Sequence, residues 1–163
     1  MDDPARSNFR LVVADLPELR PGPGGVAFRT VEDDDDAELG GLMERAYAGT
    51  VDEDLGDNND GLVEIEDWRS SGAVPECSIV ALQDGGYVSA CLIARAPSGN
   101  WWVGYVYTDP VAKGRGIGRA AAAQALALVR AAGATEVQAE VTDGNEPSER
   151  LLRSLGFTRT GPG

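Results

Sequence analysis

The sequence predicts a mixed α/β domain, a sheet flanked by helices on both faces, and three observations carry that prediction. Hydrophobic residues alternate with period two over residues 78–83, 87–95 and 101–108, the pattern of consecutive strands in a meander. Directly after the third run comes a turn with glycine at every second position, Gly114, Gly116 and Gly118. It opens into an alanine-rich stretch that reads as a helix over 114–132. Past Gly133 the period returns to two at 136–142 and then turns helical at 147–155. Strand, helix and strand therefore alternate, and strands 101–108 and 136–142 should be parallel neighbours.

Taken in order, residues 1–8 are polar and expected to fray. A short strand-like run follows at 9–14, then a loop marked by Pro17, Pro21 and Pro23 with Gly22, Gly24 and Gly25. This divides the chain into an N-terminal extension, 1–25, and a main domain, 26–163. Residues 26–31 alternate as a strand. Asp33 to Asp36 crowd negative charge at the start of a helix over 37–48, where it suits the dipole. Leu39, Leu42, Met43 and Ala46 recur on one face of that helix. Residues 49–61 read as an acidic loop and 62–70 as a short second helix. Asp84-Gly85-Gly86 joins the first pair of meander strands as a hairpin turn, and Pro97 to Asn100 joins the second. Pro147 suits the first turn of the helix at 147–155, and 157–160 reads as a last strand.

With 163 residues, 42% of them hydrophobic, the chain can bury roughly 70% of its extended surface as one domain. Cys77 and Cys91 lie in strand-like runs, which favours reduced core residues over a disulfide. Two thiols and no histidine leave no metal cluster. The start Met1-Asp2-Asp3-Pro4 is not a signal peptide, and no apolar run nears the ~20 residues of a membrane span, so a cytoplasmic protein is expected. A net charge of −13 argues against nucleic acid as a partner. Residues 32–67 hold 15 Asp or Glu against the single Arg45, while 113–159 hold seven of the fourteen basic residues. The acidic segment either solvates a surface or forms a funnel for a cationic substrate.

The glycine turn is suited to an anion, because glycines let backbone N–H groups converge and the following helix adds its own free N–H groups and dipole. A diphosphate fits. The turn lacks the Gly-Lys-Ser/Thr ending of a P-loop and the spacing of a dinucleotide fingerprint. Lys113-Gly-Arg-Gly-Ile-Gly118 instead resembles the Q/R-x-x-G-x-G/A acetyl-CoA loop of the GNAT superfamily of N-acetyltransferases, with Lys113 in place of Gln or Arg. Asn145, Leu151-Leu152 and Gly156-Phe157 resemble that family's second signature. The likeness covers about 26–160 and implies the acyl-CoA N-acyltransferase fold.

The resemblance implies acetyl-CoA as co-substrate and no metal. It assigns the backbone of Val106, Tyr107 and Thr108 to the pantetheine and the thioester carbonyl. Lys113, Gly114, Arg115, Gly116, Ile117, Gly118 and Arg119 go to the diphosphate, Asn145 to a cofactor contact and Glu140 to the general base. The implied reaction is direct acetyl transfer, in a ternary complex, to an amine that is small or part of a peptide. The residues themselves leave two of these assignments open: Asn145 also reads as a helix cap, and Glu140 as a solvated strand end. Leu152 departs from the tyrosine many members use to protonate the thiolate, a loss of roughly 10²- to 10⁴-fold. Ser148 and Tyr107 are the candidate replacements. The family's last strand has no counterpart before Gly163, so the run at 9–14 is expected to add to the sheet, or a second copy to cover the edge in a homodimer. A non-catalytic acyl-CoA sensor and an acidic interaction protein remain as other classes.

Overall fold

Along residues 136–141, Val137, Ala139 and Val141 are buried while Glu136 and Glu140 are exposed, and this alternation places one face of a strand against a core. The computed structural model describes residues 5–50, 52–53 and 60–163. Among these residues, seven strands and four α-helices follow in the order β1 (Arg6–Val12), β2 (Ala27–Thr30), α1 (Asp36–Tyr47), α2 (Gly61–Ser70), β3 (Ile79–Gln83), β4 (Gly86–Arg95), β5 (Trp101–Thr108), α3 (Ile117–Ala131), β6 (Glu136–Thr142), α4 (Glu146–Ser154) and β7 (Thr158–Pro162). The strands form one sheet in the order β2-β3-β4-β5-β6-β1-β7. The β5–β6 pair is parallel, as expected, and the other pairs are antiparallel.

Six consecutive residues of β4, Val88 to Ile93, are buried, because helices cover both faces of the central strand. On one face α3 and α4 pack Ala121, Ala125, Val129 and Leu152 against Cys91, Ile93 and Val103. On the other, α1 contributes Leu39, Leu42, Met43 and Ala46, and α2 contributes Ile65 and Trp68. The two helices of this second face meet backbone to backbone: a Cβ at Gly61 would lie 2.0 Å from the carbonyl oxygen of Gly40. Both cysteines are buried and free, and burial pushes the Cys91 thiol up to about 12. Among the described residues, no helix is long and apolar enough to cross a membrane.

The run at 9–14 adds to the sheet as one of the two expectations had it, but the polar start does not fray where it is described. β1 begins at Arg6, and Phe9, Leu11 and Val13 enter the core beside α3 and α4. It pairs with β6 from Arg6↔Thr142 to Val12↔Glu136 and with β7 on its other edge. Ser7 is buried and donates its hydroxyl to Asp143 at 2.7 Å. Burying the alternate apolar positions outweighs the polar character that suggested fraying.

Part of the acidic segment serves the fold. Asp33–Asp35 is a 3-10 turn ahead of α1, and Asp35 is only 2% exposed. Its two oxygens accept Arg29 Nη1 and Nη2 at 2.8 Å each, and also the Glu32 N–H and the Tyr87 hydroxyl. Burial alone would raise its pKa, but these hydrogen bonds and the Arg29 charge together bring it down to about 2. Asp36 pairs with Arg69 at 2.8 Å. Most of the expected 49–61 loop, residues 51 and 54–59, lies outside the described residues.

Candidate active site

β5 and β6 pair only at Trp101–Val103 against Val137–Ala139. Just beyond, β5 bulges: Leu92 pairs with Tyr105 and Ile93 with Val103, leaving Gly104 as the extra residue. The two parallel strands therefore separate toward their C-terminal ends. Two cavities of about 510 and 550 Å³ open there, and Tyr47, Val106, Asn145 and Ser148 line both.

The smaller cavity is a groove built largely from backbone. Val106, Tyr107 and Thr108 line it, with Lys113, Gly114, Gly116, Ile117, Gly118 and Arg119. Beyond Val103 the β5 edge facing the gap has no ladder partner, so its polar groups point toward whatever occupies the groove. Gly114 and Gly116 adopt φ of 80° and 77°, the left-handed region that lets successive N–H groups converge. Gly116 precedes α3, and no side chain among the described residues caps that helix, which leaves its first N–H groups free for an anion. Gly118 is fixed by packing, since a Cβ there would lie 2.7 Å from Thr108 Oγ1. Of the three expected phosphate cations, Lys113 is exposed at the groove. Arg119 lines the groove but donates to Ser154 Oγ and its carbonyl. Arg115 does not line it; its guanidinium is held 2.9 Å from Gln83 Oε1 across the turn.

The larger cavity is a chamber built from side chains of distant segments. Glu140, Asp52, Glu64 and Asp67 supply four carboxylates against the one guanidinium of Arg6, and Trp102 and Tyr105 form apolar wall. Glu140 is exposed, with Oε1 3.5 Å from Arg6 Nη1. Glu64 Oε2 accepts the Tyr105 hydroxyl at 2.7 Å. Asp52 accepts Thr142 Oγ1 and Asn145 Nδ2 at 2.7 Å each. Asn145 also caps α4, its Oδ1 accepting the Ser148 N–H at 3.2 Å, so the cap reading holds while the residue still faces both cavities.

Leu152 is buried and lines the chamber. Tyr107 fails as its replacement, because its buried hydroxyl already donates to the Leu39 carbonyl at 3.1 Å. Ser148 stays at the junction. Arg6, Tyr47, Glu64 and Tyr105 have no local sequence signal that places them at the site. Asp52 belongs to the acidic run, whose excess charge was its only mark.

Residues 43–157 match the Acetyltransferase (GNAT) family. The chain belongs to this family. Mycothiol acetyltransferase of Actinosynnema mirum is 30% identical over 163 residues, a match covering 93% of this GNAT chain and 50% of that protein. The chain thus spans about half the length of this curated relative. A GCN5-related N-acetyltransferase from Sphaerobacter thermophilus superposes with a TM-score of 0.77 at 22% identity, over 98% of this chain and 50% of that one. A GNAT acetyltransferase from Brucella melitensis in complex with acetyl-CoA does so with 0.65 at 23% identity, over 83% of this chain and 87% of that one. These solved structures share the fold described above.

Proposed function

We propose that this protein is an acetyl-CoA-dependent N-acetyltransferase acting on a cationic primary amine in a ternary complex. The observation that carries the proposal is the junction of the two cavities at Tyr47, Val106, Asn145 and Ser148. An acyl donor held in the groove and an amine held in the chamber would meet there, which turns a bimolecular attack into a local one.

The donor set fits acetyl-CoA. Gly114, Gly116 and the uncapped start of α3 offer convergent N–H groups to a diphosphate, with Lys113 adding charge. Backbone at Val106 to Thr108, on the unpaired edge of β5, would orient the thioester and polarise its carbonyl. The fold shared with an acetyl-CoA complex and the name of the mycothiol acetyltransferase relative support the same donor and reaction.

The chamber's carboxylates would attract an ammonium group and exclude anionic acceptors. Such an amine, with a pKa near 10, arrives protonated and must lose a proton before attack. Glu140 faces the chamber from β6 and is the general base in this reading, directly or through water. Residues of a single chain line both cavities, and we place the reaction in the cytoplasm.

Thiol release from acetyl-CoA, followed with a panel of amines, tests this. Diamines and lysine-like amines should accelerate release, whereas acidic amines should not, and Glu140→Gln should lower kcat by about 10²-fold. An unchanged rate in that variant removes Glu140 from the mechanism. Leu152 favours a second reading, a non-catalytic acyl-CoA sensor. That reading gains if acetyl-CoA binds and no amine accelerates thiol release.

A further inference from the structure

Aminolysis of a thioester ends with a thiolate that needs a proton, and the junction offers few hydroxyls to give one. Tyr105 donates to Glu64, Tyr107 to the Leu39 carbonyl, and Thr142 to Asp52. Ser148 and Tyr47 line both cavities, and neither hydroxyl donates to any described residue. An aliphatic hydroxyl is a far weaker acid than a phenol, so it matches a thiol of pKa about 8.5 much less well.

Tyr47 is held in place as the last residue of α1. Its carbonyl accepts the Thr50 N–H at 3.0 Å and Thr50 Oγ1 at 2.7 Å. Its ring is tilted 57° against that of Tyr107, centroids 5.8 Å apart, and Tyr107 is itself anchored to α1 through Leu39. The main chain and the ring of Tyr47 are therefore each held where groove and chamber meet.

We propose that Tyr47 is the general acid that protonates the departing thiolate. The proposal rests on the acetyl-transfer reading above. The amine nitrogen attacks the thioester carbon, and the new C–N bond forms as the C–S bond breaks. The sulfur's electron pair takes the phenolic proton. The ammonium gives up two protons through Glu140 or water, one before attack and one as the amide forms; one of them returns the phenolate to phenol, and the other leaves to solvent. Burial, and then the charges of Asp52 and Glu64 with Tyr105, hold the Tyr47 phenol above its ordinary value, which keeps it protonated between turnovers.

Tyr47→Phe tests the assignment, because it deletes one oxygen and keeps the ring. The assay uses acetyl-CoA with whichever amine gives the fastest thiol release from the wild type. We expect kcat to fall about 10²-fold, with the KM for the amine, the Kd for acetyl-CoA and the Tm all unchanged. That pattern marks an interaction made only in the transition state. A rise in KM at constant kcat would show that Tyr47 is only pocket wall and overturn the proposal. So would an unchanged rate, or a loss carried by Ser148→Ala in its place. A wild type that binds acetyl-CoA and transfers to no amine would overturn the acetyl-transfer reading and this inference with it, whereas a fast Tyr47→Phe beside a fast wild type overturns this inference alone.

Discussion

The groove and the chamber share four residues and are built on opposite principles. The groove is mostly backbone: two left-handed glycines, an uncapped helix start and an unpaired strand edge within one stretch of chain, Val106 to Arg119. The chamber is mostly side chain, assembled from Arg6, Asp52, Glu64, Asp67, Trp102 and Glu140 on five separate segments. In the proposed function, backbone groups would recognise what every acyl donor of this class has in common and survive changes in side chain. Side chains would recognise one acceptor and could be exchanged without rebuilding the sheet.

If that contrast is correct, Gly118→Val has the largest effect. Its added Cβ meets Thr108 Oγ1 at 2.7 Å, and forcing α3 away from β5 should weaken acetyl-CoA by about 10²-fold, roughly 2.7 kcal/mol. Calorimetry would show it, and the loss should be the same whatever amine is present. Next comes Asp35→Asn, which separates carboxylates that serve the fold from those that serve the chamber. Asp35 has a folded pKa of about 2, below the ordinary 3.8. Its contribution is therefore present above about pH 4 and lost as pH falls toward 2, a span of about 2 kcal/mol. Chemical denaturation across that window should show the loss in the wild type and not in the variant, while acceptor KM at neutral pH stays the same. The smallest effect is expected for Glu64→Gln with Asp67→Asn, which should raise the KM of a cationic amine about tenfold, near 1.4 kcal/mol, and leave acetyl-CoA affinity untouched. A change in acetyl-CoA affinity in that double variant would mean that the two regions are not separable.

The same contrast explains what could be read from sequence. Glycines 114, 116 and 118 sit in one window and announce a turn, an anion and a helix at once. The apolar face of α1, Leu39, Leu42, Met43 and Ala46, is likewise a local periodicity, and all four are buried. Residues 101–108 and 136–142 emerge as strands with the expected bounds. Asp52 meeting Thr142 and Asn145 is different, because the contact spans 90 and 93 residues and no short pattern encodes it. Arg115 shows the reverse: its place in the motif pointed to phosphate, but side-chain direction on a turn depends on the glycines around it, and it reaches Gln83. Polarity over 1–8 suggested fraying because the partner strands β6 and β7, which hold the described part of it, lie far along the chain.

That last separation has a kinetic side. β7 joins the sheet only through β1, and Asn8 Nδ2 donates to the Pro162 carbonyl 154 residues away. During synthesis at about 5–20 residues per second, β1 would wait on the order of ten seconds for both of its partners. Over that interval Phe9, Leu11 and Val13 are a β-prone apolar segment with neither neighbour present. The closing step of folding would therefore be a long loop closure, costly in entropy and slow. Arg6 and Arg10, which end up paired with Glu140 and Glu136, place charge beside that segment while it waits, where it opposes pairing with the wrong strand.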